Sequence, residues 1–211
     1  MSENKEKKPA VVLTRYNPYL VVGMEEIESS DGAKFKMENV TALCRCGGSS
    51  HKPYCDSTHS KIGFDGSRDE GLKPGKTKGY EGKDITINDN RRVCAHDGNC
   101  TRSLPSVFKS DELPWIDPNG ASVKEMIETI EGCPSGALSY TIGSRRYQNL
   151  ERPPKIIVQK NGPYKIQGGI ELVDDAGSVP EASEHYTLCR CGKAKNKPFC
   201  DGTHIEIDFK G

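Results

Sequence analysis

The chain has 211 residues, 34% of them hydrophobic and 7% aromatic, with 22 glycines. That apolar content, at or just under the globular norm, argues against one large continuous core and for several small modules. Lys+Arg and Asp+Glu both number 30, so the formal charge is zero and no bulk attraction to nucleic acid or an anionic membrane is expected. The nine cysteines are an odd number, which counts against a closed disulfide framework.

In chain order, the N-terminal MSENKEKKPA is charged and lacks the apolar stretch of a signal peptide. The longest aliphatic patches, such as Tyr19–Val22 and Ile156–Val158, are too short to cross a bilayer. A reducing cytoplasm is the expected compartment, where closely spaced cysteines hold metal or do redox chemistry more often than they form disulfides. YLVVGMEEIESSDG has the branched aliphatics and Gly/Asp/Ser boundaries of a strand and hairpin, and TALCRC offers a short strand into CRCGGSSHKPYCDSTH. Residues 60–79, rich in Gly, Lys and Asp, suit an exposed connection. YEGKDITINDNRRVC then alternates as a strand leading into Cys94 and the tight loop CAHDGNC. Trp115, in LPWIDPNG, is expected to pack in core or loop. SVKEMIETIEG is the clearest helix: Val123, Met126, Ile127 and Ile130 follow helical spacing, Ser122 and Glu125 fit a capping box, and Gly132 ends it before Cys133-Pro134. YKIQGGIELVDDAG and YTLCRC repeat the opening strands and lead into CRCGKAKNKPFCDGTH.

The cysteines fall into three groups of three. The outer groups share the spacing C-x-C-x8-C followed by x3-H, and a constant shift of 145 residues carries His59 onto His204. The same shift aligns Pro18-Tyr19 with Pro163-Tyr164, Gly32 with Gly177 and Phe64 with Phe209, so the repeat is a module of about 50 residues. His51 and His185 have no counterpart in it and are expected to be solvated loop or strand residues. In an extended segment Cys44 and Cys46 point to one face, and Cys55 and His59 share a face if the chain turns helical between them. Asp56 suits the start of that turn, because its carboxylate accepts N–H groups left unpaired there. Cys189, Cys191, Cys200, Asp201 and His204 repeat the pattern. Three thiolates and an imidazole serve either one tetrahedral zinc or a 2Fe–2S cluster with two ligands on each iron.

CRC…KPxCDxTH resembles the CDGSH iron–sulfur domain of the NEET family across nearly all of both repeats. The resemblance implies two 2Fe–2S clusters, with ligands Cys44, Cys46, Cys55, His59 and Cys189, Cys191, Cys200, His204, in motifs packed side by side under a shared β-cap. Ser57, where the family has Gly, and Ala194, where Ser or Thr is usual, remove no ligand but are expected to loosen the hydrogen bonding around the clusters. CAHDGNC…CPSGAL resembles a divergent single-cluster ferredoxin module. Asp97 stands at the position of a missing cysteine, leaving Cys94, Cys100 and Cys133. These three suffice for 3Fe–4S, whereas 4Fe–4S needs a fourth ligand from Asp97, His96 or solvent.

The expected fold class is α+β: two small β-rich CDGSH modules forming an intramolecular pseudo-dimer, with the Gly32 and Gly177 turns related by an approximate two-fold axis, plus a small α+β ferredoxin-like module. The expected divisions are a flexible tail 1–15, module 16–66, linker 67–78, ferredoxin-like module 79–143, linker 144–155 and module 156–211. No nucleotide fingerprint or P-loop is present in the sequence. The expected function is electron transfer, cluster transfer or redox sensing by a monomer acting on redox or cluster-acceptor proteins, with neither nucleic acid nor membrane as partner. A zinc-binding structural or interaction module using the same ligands is the alternative, and an electron carrier or cluster donor is favoured over an enzyme. Imidazole binds metal as the neutral base, so histidine ligands are open to competition from protons. Replacing His59 or His204 with Cys is expected to slow acid bleaching of the visible absorbance; unchanged bleaching in both variants would exclude that role.

Overall fold

The computed structural model describes residues 8–73 and 75–211. The first repeat contributes strands β1 (Ala10–Leu13), β2 (Tyr19–Val22), β3 (Glu26–Ser29), β4 (Lys34–Lys36) and β5 (Val40–Leu43), then the single-turn helix α1 (Thr58–Lys61). The insert supplies β6 (Lys78–Glu81), β7 (Thr86–Asp89), α2 (Asn99–Ser103), α3 (Val123–Glu131), β8 (Leu138–Ile142) and β9 (Arg145–Tyr147). The second repeat follows with β10 (Lys155–Val158), β11 (Tyr164–Gln167), β12 (Glu171–Asp174), β13 (Tyr186–Leu188) and α4 (Thr203–Glu206). Among the described residues no helix is long and apolar enough to cross a membrane.

The repeats exchange strands. One sheet has the order β12-β1-β2-β5 and the other β13-β11-β10-β3-β4, so each takes at least one strand from the opposite repeat. Parallel pairing joins Val12 to Val173 and Leu13 to Asp174, and the equivalent pairing joins Ile157 to Glu28 and Val158 to Ser29. These pairs are related by the 145-residue shift, as an approximate two-fold relation requires. The Gly32 and Gly177 turns correspond as well, each N–H donating at 3.0 Å to the carbonyl three residues earlier. Alternating apolar residues of both sheets, including Val11, Leu13, Val21, Leu43, Ile156, Val158, Ile166 and Leu188, merge into one shared core. Neither repeat has a face large enough to form a core alone, and the exchange also covers edges that would otherwise remain open.

Two expected boundaries are corrected. The tail assigned to 1–15 contains β1, whose Val11 and Leu13 are buried against the opposite repeat; residues 1–7 lie outside the described residues. The linker assigned to 144–155 contains β9, which continues the insert's own sheet, β6-β7-β8-β9. Helix α3 begins with the expected capping box, and its Met126 and Ile130 pack into a second core with Ile85, Ile87, Phe108 and Leu138.

The two centres of the exchange are Tyr19 and Tyr164, packed edge to face with ring centroids 5.9 Å apart. Tyr19 donates to the Cys189 and Pro198 carbonyls at 2.9 and 3.1 Å, and Tyr164 donates to those of Cys44 and Pro53 at the same distances. Each motif's loop is thus held by the other repeat's phenol. Tyr164→Phe is expected to cost about 1–2 kcal/mol in urea unfolding, because the Cys44 carbonyl loses this donor while Pro53 keeps the Cys44 N–H.

Candidate metal centres

Strand β5 runs directly into Cys44 and β13 into Cys189, so strand pairing fixes where the C-x-C segments lie. Cys44 and Cys46 hold their sulfurs 4.0 Å apart, and Cys189 and Cys191 hold theirs 3.7 Å apart. Two sulfurs on one tetrahedral metal, each about 2.3 Å from it, lie roughly 3.8 Å apart. Across each loop, His59 Nδ1 stands 3.2 Å from Cys55 Sγ and His204 Nδ1 stands 3.4 Å from Cys200 Sγ. The donors therefore come in two pairs per motif. Among the described residues no three His, Cys, Asp or Glu side chains gather around one point as a single ion needs.

Asp56 and Asp201 tie the loops as expected. Asp56 accepts from Ser50 N–H at 2.9 Å and Thr58 N–H at 3.1 Å; Asp201 accepts from Lys195 at 2.8 Å and Thr203 at 3.1 Å. The Thr58 hydroxyl first, and these backbone bonds after it, hold the Asp56 carboxyl below the usual carboxylate range. The equivalent bonds hold Asp201 below it too, against the upward push of burial. The loops differ at Ser49, whose hydroxyl donates to the Tyr54 carbonyl at 2.7 Å and accepts from His51 N–H at 3.0 Å; buried Ala194 makes neither bond.

Arg45 and Arg190, the central residues of the two CRC triplets, are 3% and 2% exposed. Arg45 donates to the Thr14 and Gly66 carbonyls at 2.7 and 2.8 Å, and Arg190 to those of Gln159, Gly162 and Gly211 at 2.7–2.8 Å. Neither pairs with an Asp or Glu among the described residues, and Arg45 Nε has no hydrogen-bond partner. A buried cation needs an opposite charge, and an anionic metal–sulfur group held beside it would supply one. The donor set and these arginines together fit an anionic metal–sulfur group. Burial pushes the Cys55 thiol up and takes Cys200 to about 12. A metal must displace those protons.

The motifs also touch each other. A Cβ on Gly47 would lie 2.5 Å from the Cys191 carbonyl oxygen, and at Gly192 the Cys46 carbonyl leaves no more room. Only glycine permits this approach of two C-x-C backbones.

In the insert, Cys94, Cys100 and Cys133 line one cleft. Burial, then the charges of Cys133 and Cys94, push the Cys100 thiol up to about 11. His96 and Asp97 line the cleft too, but Asp97 Oδ2 is 2.8 Å from Lys165 Nζ and Oδ1 is 3.8 Å from Arg102. Trp115 packs against Phe108 and lies under the Arg91 guanidinium at 4.6 Å, at the edge of the same cleft. His51 is exposed as expected. His185 is the correction: it is 2% exposed, because the linker's Arg152 pairs with Glu184 at 2.6 Å and Glu184 in turn meets His185 Nδ1 at 2.9 Å.

Residues 16–60 and 161–205 match the family model of the iron-binding zinc finger of CDGSH type. The chain carries two CDGSH-type iron-binding domains. Between its two domains, residues 80–143 of this CDGSH protein match the divergent 4Fe-4S mono-cluster family. Uncharacterized protein YjdI of Escherichia coli strain K12 is 38% identical over 72 residues, covering 34% of this chain and 95% of that protein, and its counterpart in strain O157:H7 matches equally. No solved structure matches the CDGSH protein. It is an iron–sulfur protein of α+β fold.

Sequence reading missed Asp89, at the end of β7. It lines the three-cysteine cleft, is 2% exposed, and leaves Oδ1 without a partner. Nothing in the sequence marks it, since it stands outside the repeat as one more strand residue. Burial pushes its carboxyl up to about 6, although Arg91, the Trp115 indole and Lys78 act the other way. Because the folded state binds this proton more tightly, the associated stability is complete below about pH 4 and is lost as pH rises through 6. Asp89→Asn lacks this loss. The variant is expected to gain roughly 1–3 kcal/mol over the parent between pH 4 and pH 8, measured as the difference in urea unfolding.

Proposed function

We propose that each CDGSH motif carries a 2Fe–2S cluster, held by Cys44, Cys46, Cys55 and His59 in the first and by Cys189, Cys191, Cys200 and His204 in the second. Cys94, Cys100 and Cys133 hold a third cluster, of the 4Fe–4S or 3Fe–4S type. The observation that carries this reading is the pairing of donors: two sulfurs on one side of each motif and a sulfur with an imidazole nitrogen on the other. That division suits two irons better than one zinc. When bound, such clusters supply one-electron chemistry.

The protein's own residues fix the donors of the sites. Tyr19 and Tyr164 anchor the loops, Asp56 and Asp201 fold the turns that present the histidines, and Arg45 and Arg190 place positive charge beside the thiolates. In the central cleft Asp97 and His96 serve the contact with the second domain, and the cysteines carry the site. The role that follows is an electron carrier or cluster-transfer protein that works as a monomer, since one chain supplies both halves of the strand exchange.

Anaerobically purified protein is expected to be red-brown, with acid-labile sulfide and about seven to eight irons per chain: two diiron centres and one of three or four irons. EPR of the reduced protein should resolve two kinds of centre. A colourless, zinc-containing chain would overturn the proposal.

A further inference from the structure

The insert docks on one CDGSH domain. Among the described residues its ion pairs and side-chain hydrogen bonds to the repeats go to the second: Asp97 to Lys165, Asn196 Nδ2 to the Arg92 carbonyl at 3.0 Å, and Arg146 to Glu181 at 3.1 Å. At the centre of this contact His96, with φ +53, packs on Gly202 of the CDGTH motif. A Cβ on Gly202 would stand 2.5 Å from His96 Cδ2 and 2.9 Å from Cγ. Position 202 is therefore glycine for lack of space, as well as for its φ of +88.

The first motif provides the comparison within the same chain. Ser57 occupies the equivalent position with φ +66, exposed, in a motif that repeats the same cysteine, histidine and aspartate positions. Cys55 is half-buried, whereas Cys200 is buried.

We propose that His96 seated on Gly202 is the positioning contact that couples the central cysteine site to the second CDGSH site and leaves the first outside that pair. The inference rests on the iron–sulfur reading above. The step it serves moves one electron from a reduced centre to an oxidised neighbour, with no bond formed or broken; the reductant is an external one-electron donor such as dithionite. Short chain connections run from Cys94 to His96 and from Gly202 to Cys200, with only the His96–Gly202 van der Waals contact between them.

The test uses the full chain with its clusters, reduced with dithionite and examined by EPR for splitting or enhanced spin relaxation between the central and second centres. The parent is expected to show this interaction. It should persist in Cys55→Ser, which disrupts the first site, and vanish in Cys200→Ser. Gly202→Ser copies a residue the first motif already accepts, yet displaces His96. It and His96→Ala are expected to keep the parent's iron and sulfide content while losing most of the interaction. Unchanged interaction in both variants overturns the proposal, and so does an interaction that disappears in Cys55→Ser. Loss of the central cluster's iron in His96→Ala would make His96 a ligand and overturn its positioning role. A coloured parent with three centres and no interaction overturns this inference alone; a colourless zinc protein overturns the underlying reading as well.

Discussion

The two loops that carry the CDGSH motifs depend on phenols from outside themselves. Tyr19 holds the carbonyls of Cys189 and Pro198, and Tyr164 holds those of Cys44 and Pro53. A buried carbonyl without a partner is costly, so each loop is stabilised by having the opposite repeat in place. Strand exchange supplies that condition. The same arrangement brings Gly47 and Gly192 against opposing carbonyls and forms one core from two insufficient faces. The sites are therefore properties of the pair of repeats.

Much of this was legible in the residues. The spacing of Cys44, Cys46, Cys55 and His59, recurring 145 positions later, identified both motifs and their family before any coordinate, and Asp56 announced the turn it closes. The helix at Val123–Glu131 was explicit in its capping box and apolar stripe. These features are local, and local spacing encodes local geometry. Parallel pairing of β1 with β12 was not legible, because a four-residue strand gives no sign of a partner about 160 positions away. Arg45 and Arg190 did carry a signal, being repeated in both CRC triplets, but their burial against carbonyls depends on distant segments. Asp89 and His185 were hidden for the same reason: burial of a polar group is decided by what packs over it.

The insert breaks the symmetry of the repeats. Its loop 94–97 lies against the second motif, covering Gly202 and helping to bury Cys200, while Ser57 at the matching place remains exposed. Asp97 illustrates how position in sequence and role in structure separate. It occupies the slot of a ferredoxin cysteine, yet its carboxylate reaches Lys165 across the domain boundary.

Housing both halves in one polypeptide has an evolutionary consequence. In an assembly of two identical subunits, a substitution made for one site is imposed on the other, so any adaptation must suit both at once. Here position 57 and position 202 are inherited separately. The chain can keep a small residue where a neighbour presses and a larger one where none does, and specialise one end without compromising its twin.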